Sequence, residues 1–203
     1  MTRRRAFRAL VLGVLAVPIR LRAQSTDRLP EFAPRIQYEA AGAVQSPFLS
    51  SYGHQTGALR AGSVGVLIRS SSAALVRIDG WLIERRPGPN DEARTYYLRP
   101  LDESRAVLTE VAVVFPLKLW DGVYLESATG IGVVPWARGT FIPYSGGAPI
   151  NQTAAGWATT VGLSLRAGHL VIQQHVIQIM GADGALLNGE TSALSVGLRF
   201  GFR

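Results

Sequence analysis

Hydrolytic or metal-assisted chemistry needs a base, a nucleophile or a ligand set, and this chain is sparing with all three. It has no cysteine, and its three histidines, His54, His169 and His175, show no metal-ligand spacing, so neither a thiol nor a metal centre is expected. The stretch with most to offer runs from His175 to Phe200, HVIQIMGADGALLNGETSALSVGLRF. It contains His175, with Ile177 and Gln178 after it, and the acid Glu190 in Asn188-Gly189-Glu190. The hydroxyls that could approach His175 are Ser192, Ser195 and Ser145. The plainer alternatives are a strand histidine satisfied by a polar neighbour and a solvated loop acid. Gly130-Ile131-Gly132-Val133-Val134-Pro135 lacks the third glycine of a dinucleotide fingerprint and its strand-to-helix context, and no cofactor is expected.

The element that must carry these residues is read most easily at the chain's end. Between Ser192 and Arg203, Leu194, Val196, Leu198, Phe200 and Phe202 alternate with Ala193, Ser195, Gly197, Arg199, Gly201 and Arg203. The period is two, so this is a strand with one wholly apolar face. A soluble barrel would turn the apolar row inward; a transmembrane barrel turns it to lipid and leaves the small and charged row to a polar lumen.

Seven earlier strands are expected, at about 35–44, 58–69, 74–86, 105–119, 123–139, 156–166 and 169–180. The seventh alternates poorly and is the place where a bulge is expected. Between strands, long connections (45–57, 87–104, 140–153, 181–191) take turns with short ones at Ser70-Ser71-Ser72, Trp120-Asp121-Gly122 and Ala167-Gly168. That order predicts an all-β fold, an eight-stranded antiparallel up-and-down transmembrane β-barrel with short periplasmic turns and long extracellular loops. Lipid offers no hydrogen bond to a bare edge, so the eighth strand must pair with the first.

Eight strands leave an interior just filled by side chains. The expected lumen row holds Glu39, Asp79, Glu110 and Glu126 against Arg77, Arg166 and Arg199, which should pair and plug the barrel. An ion or proton path along them is the functional alternative. Tyr38, Trp120, Tyr124, Trp136 and Trp157 are expected in the outer aromatic girdle.

Composition is consistent with this reading but does not compel it: 203 residues, 47% hydrophobic, make one domain of either kind. Residues 1–23 read as a secretory signal peptide, with Arg3, Arg4, Arg5 and Arg8 before the apolar run Ala9–Val17 and a small residue at Ala23. Residues 24–34 are a polar, proline-containing periplasmic lead-in, and 35–203 the barrel. The leader holds six of the 21 basic residues and none of the 14 acidic ones, so the formal charge of +7 falls to +1 once it is removed. Nucleic acid is therefore not an expected partner. The expected location is integral to the bacterial outer membrane, with the barrel-insertion machinery as a partner during biogenesis. Phe202, the aromatic such machinery would read, is followed here by Arg203.

The region from Phe141 to Phe200 resembles the lipid A 3-O-deacylase family and its acyloxyacyl-hydrolase-like relatives. The likeness implies an eight-stranded outer-membrane barrel with a His-x-Ser-Asn motif on the penultimate strand and a carboxylate beyond the following loop. It would make His175 the base and Glu190 its orienting acid, but it puts Ile177 and Gln178 at the Ser-Asn positions, so the nucleophile is missing. The leading expectation is an outer-membrane barrel on a deacylase-like scaffold, catalytically inactive, structural or lipid-contacting, with outer-membrane lipids and lipopolysaccharide as partners. An active lipid A 3-O-deacylase and a soluble periplasmic lipocalin-like binding barrel are the alternatives.

Overall fold

The computed structural model describes residues 36–46, 59–70, 73–86, 98–100, 104–143, 145–181 and 189–201. The segments expected as signal peptide and lead-in lie outside these residues, as do His54, Phe202 and Arg203. Nine strands run in chain order: β1 (Ile36–Gln45), β2 (Leu59–Arg69), β3 (Leu75–Arg85), β4 (Leu98–Pro100), β5 (Ser104–Trp120), β6 (Val123–Pro143), β7 (Ile150–Ala167), β8 (Leu170–Gly181) and β9 (Gly189–Gly201).

Eight of them close a barrel. Each pairs antiparallel with its chain neighbour, β6 also pairs with β7, and β9 returns to β1 with Tyr38 opposite Phe200 and Ala40 opposite Leu198. No edge is left, which a lipid environment requires. The short β4 stands apart, extending the sheet beside the far end of β6.

The turns that join β5 to β6 and β7 to β8 contain Gly122 (φ 76°) and Gly168 (φ 59°), left-handed positions that glycine occupies without steric cost. The amide of Gly168 donates to the Gly122 carbonyl at 2.9 Å, tying the two turns together. Three expected strands prove to be longer than alternation indicated: β5 starts at Ser104, β6 runs on to Pro143, and β7 starts at Ile150.

Alternation then sorts every strand into two faces. Val64, Ile131, Val133, Val44, Leu82, Val196, Leu198 and Phe200 are exposed on the outside. A continuous apolar exterior of this extent is a liability in water and the matching surface for acyl chains. Tyr38 and Trp120 stand on it toward the short-turn end, and Trp136 and Trp157 farther toward the other. Tyr124 is a correction: it is 7% exposed and faces the lumen, where the Arg166 guanidinium covers its ring at 4.1 Å.

The expected bulge in the penultimate strand is also corrected. β8 keeps continuous register with β7 and β9. Its alternation looks poor because its inward row, Val171, Gln173, His175, Ile177 and Ile179, crosses from a polar layer into an apolar one. A register shift lies instead in β6 between Val134 and Ala137, both buried, with Pro135 and Trp136 outward in succession. Proline has no N–H for the ladder, so a bulge there leaves no donor unpaired.

Candidate functional site

The lumen is filled in three layers. Toward the long-connection end Leu59, Trp81, Ile83, Leu108, Val134, Ile177 and Ile179 form an apolar cluster with small alanines between them. At the short-turn end Leu67, Leu75, Val114 and Ala128 form another. Between them sit the charged side chains that alternation assigns to the lumen, in two linked groups.

In the first, Arg77 Nε lies 2.6 Å from Asp79 Oδ2, its Nη2 3.4 Å from Glu110 Oε1, and its Nη1 donates to Gln173 Oε1 across the barrel at 3.2 Å. The Thr160 hydroxyl donates to the same Glu110 oxygen at 2.5 Å. In the second, Arg199 Nε donates to Glu39 Oε2 at 2.7 Å, while its Nη1 and Nη2 grip both oxygens of Glu126 at 2.8 and 2.9 Å. Arg166 adds a bond to Glu126 at 3.0 Å.

All seven charges expected in the lumen are thus brought together and paired. Ionised groups in so narrow a space are tolerated only when matched, and a bidentate guanidinium–carboxylate contact is the geometry that matches them best. Thr160, Gln173 and Ser164, which complete the network, were visible in sequence only as polar members of inward rows. Nothing in their spacing marks them, because their partners lie across the barrel.

The fit is close where strands cross it. A Cβ on Gly130 would come within 2.8 Å of Glu110 Oε1, Thr160 Oγ1 and the Val111 carbonyl, and one on Gly162 would stand 2.8 Å from Gln173 Nε2. These glycines make room for the charged layer.

His175 projects into the lumen beside this layer, 1% exposed, with its ring edge-on to Trp81 at 4.9 Å and 82°. Among the described residues neither ring nitrogen has a hydrogen-bond partner. Ile177, 2% exposed, is the next inward residue along β8 and belongs to the apolar cluster. Gln178 falls on the opposite row and stands in register with Glu190. Ser195 is inward but its hydroxyl donates to the Gln173 carbonyl at 3.3 Å, and the Ser192 hydroxyl accepts from Gln174 Nε2 at 2.9 Å. Ser145 is exposed in the connection between β6 and β7. The described side chains therefore place no hydroxyl in contact with His175. No group of three or more His, Asp or Glu side chains among the described residues could hold a metal ion.

No family model and no curated protein matches the chain. Among solved structures it is similar to neisserial surface protein A at 16% identity, covering 82% of this chain and 96% of that one with a TM-score of 0.48. It is similar to the N-terminal β-barrel domain of Pseudomonas aeruginosa OprF at 15% identity, 82% and 98% coverage and 0.47. It is similar to Ail, the attachment invasion locus protein of Yersinia pestis, at 12% identity, 83% and 100% coverage and 0.46. By its own strand pairing, closure and outward apolar face, the chain is an eight-stranded antiparallel β-barrel of the outer-membrane kind.

Proposed function

We propose that this protein is an integral outer-membrane barrel that works as a closed, lipid-contacting scaffold and catalyses no hydrolysis. The observation that carries the reading is the combination of an apolar exterior with a lumen whose charged side chains are all ion-paired between two apolar layers. A sheathed exterior suits insertion among acyl chains, and a lumen stoppered by side chains leaves no aqueous route. The long connections at one end would face outward from the cell and the short turns the periplasm. The deacylase-like scaffold remains part of the proposal on the resemblance of residues 141–200, with lipopolysaccharide as a contacted lipid. Ile177 beside His175, and the absence of a hydroxyl against that ring among the described residues, favour the inactive form.

The test is to fold the mature chain into phosphatidylcholine vesicles containing lipid A. Heat-modifiable gel mobility, a silent planar-bilayer trace and no release of 3-hydroxy fatty acid are the expected results. Recovery of folded chain from the soluble fraction without detergent would favour the lipocalin-like alternative and overturn the membrane assignment. Stepwise conductance would overturn the closed lumen. Fatty-acid release that disappears in His175→Ala would overturn the non-catalytic assignment and put Glu190 forward as the orienting acid.

A further inference from the structure

Four charged side chains near the long-connection end form one row around the outside of the barrel. The ladders pair Arg60 with Glu84, Glu84 with Arg105, and Arg105 with Arg138. Arg60 and Arg138 are exposed, as is Arg105 at 56%, with Glu84 at 34% beside it. Arg105 Nε lies 3.1 Å from Glu84 Oε1, and among the described residues Arg60 and Arg138 have no ion pair. Arg60 and Arg138 therefore carry unmatched charge among the described residues, and Arg105, which is paired with Glu84, stands directly opposite Arg138. Like charges facing each other across a ladder repel unless an anion comes between them.

A groove of about 800 Å³ opens on the outer wall beneath this row, lined by Ala40, Gly42, Gly62, Val64, Gly80 and Leu82. Arg60 and Glu84 are the next outward residues beyond Gly62 and Leu82, about 7 Å along their strands. Three glycines in the groove have no role in the barrel's own packing. A Cβ on Gly42 would meet nothing within 4 Å, and one on Gly62 or Gly80 would meet only a carbonyl oxygen, at 3.9 and 4.0 Å. Glycine weakens a strand, and with no bulge in these ladders the bare backbone leaves room for a ligand to approach closely from outside.

The geometry points to a binding site for a phosphate-bearing membrane lipid, its headgroup on the Arg60, Arg105 and Arg138 row and an acyl chain in the glycine-walled groove. The site deepens the lipid-contacting function proposed above and rests on it. Strands are about 4.8 Å apart, so the row spans roughly 14 Å, enough for more than one phosphate. Charge also argues against a second copy in the groove. Two barrels in one membrane share an orientation, so their arginine rows would meet at the same height, where a phosphate is attracted and another arginine repelled.

Binding of bis-phosphorylated lipid A and of its dephosphorylated counterpart to the vesicle-folded barrel tests the site. The phosphorylated lipid should bind at least roughly tenfold more tightly, the scale of one charge-assisted contact. The preference should vanish in an Arg60→Gln, Arg105→Gln, Arg138→Gln triple variant and at high salt. Gly62→Leu with Gly80→Leu, which fills the groove, should weaken binding of both lipids while heat-modifiable mobility is kept. Equal binding of the two lipids by the wild type, or an unchanged preference in the triple variant, overturns the site while leaving the membrane barrel intact. So does a dimer cross-linked through position 62 that forms equally with and without lipid. Failure of the wild type to enter vesicles overturns the membrane assignment itself, and the gel shift separates that result from the others.

Discussion

Arg199→Met would test the charged layer most directly. Its guanidinium touches Glu39 at 2.7 Å and both oxygens of Glu126 at 2.8 and 2.9 Å, and the three residues are 3%, 8% and 1% exposed. Methionine fills a similar volume, so what is lost is charge and hydrogen bonding. Breaking a buried pair by removing one partner costs about 3–5 kcal/mol, because the other charge is left without compensation. Two carboxylates are stranded here, but Arg166 still holds Glu126 at 3.0 Å, so Glu39 bears most of the loss. Adding Glu39→Gln should then recover about 1–3 kcal/mol, a coupling of the size seen between residues in direct contact. The assay is reversible urea unfolding of the vesicle-folded barrel, followed by tryptophan fluorescence and gel mobility. A loss below about 1 kcal/mol in the single variant, the scale of an exposed ion pair, would refute the view that this layer is sealed from water. Simple addition of the two costs would refute the direct coupling of Glu39 to Arg199.

Three further outcomes are expected. Gly130→Ala drives a methyl into Glu110, Thr160 and the Val111 carbonyl, each 2.8 Å away, and should cost about 1–3 kcal/mol in the same urea titration. Gly62→Ala, with only one atom at 3.9 Å, should be neutral or stabilise by about 0.5–1 kcal/mol; equal effects of the two would contradict the division into a filled lumen and an open groove. At the short-turn end a hydrogen bond and charge from Lys118, 2.8 Å away, hold the Asp121 carboxyl below its ordinary value. Whatever stability this pair contributes is present above the ordinary carboxylate range and lost as pH falls through the lowered value. NMR titration should show Asp121 moving up to the ordinary value in Lys118→Gln, and no movement would contradict the contact.

The amino-acid sequence by itself determines which face of each strand is greasy. Side-chain direction has period two along any strand, so Leu194, Val196, Leu198 and Phe200 share a side wherever the strand is placed. The same local rule put Glu39, Asp79, Glu110, Glu126, Arg77, Arg166 and Arg199 on inward rows, and glycine at Gly122 and Gly168 marked the tight turns. Tertiary structure decided everything that depends on what lies across the barrel. Which arginine meets which acid follows from register and closure, as in the bond from Arg77 to Gln173. His175 met Trp81 and Ile177 met the apolar cluster for the same reason, and no spacing along β8 encodes either contact. Tyr124 was misplaced because a tyrosine is at home at a membrane surface, although alternation puts it on the row of Glu126 and Ala128; it stands inward opposite Arg166, whose guanidinium covers its ring. The outer row of Arg60, Glu84, Arg105 and Arg138 comes from four separate strands, so only their alignment turns four unremarkable surface charges into a single cationic band.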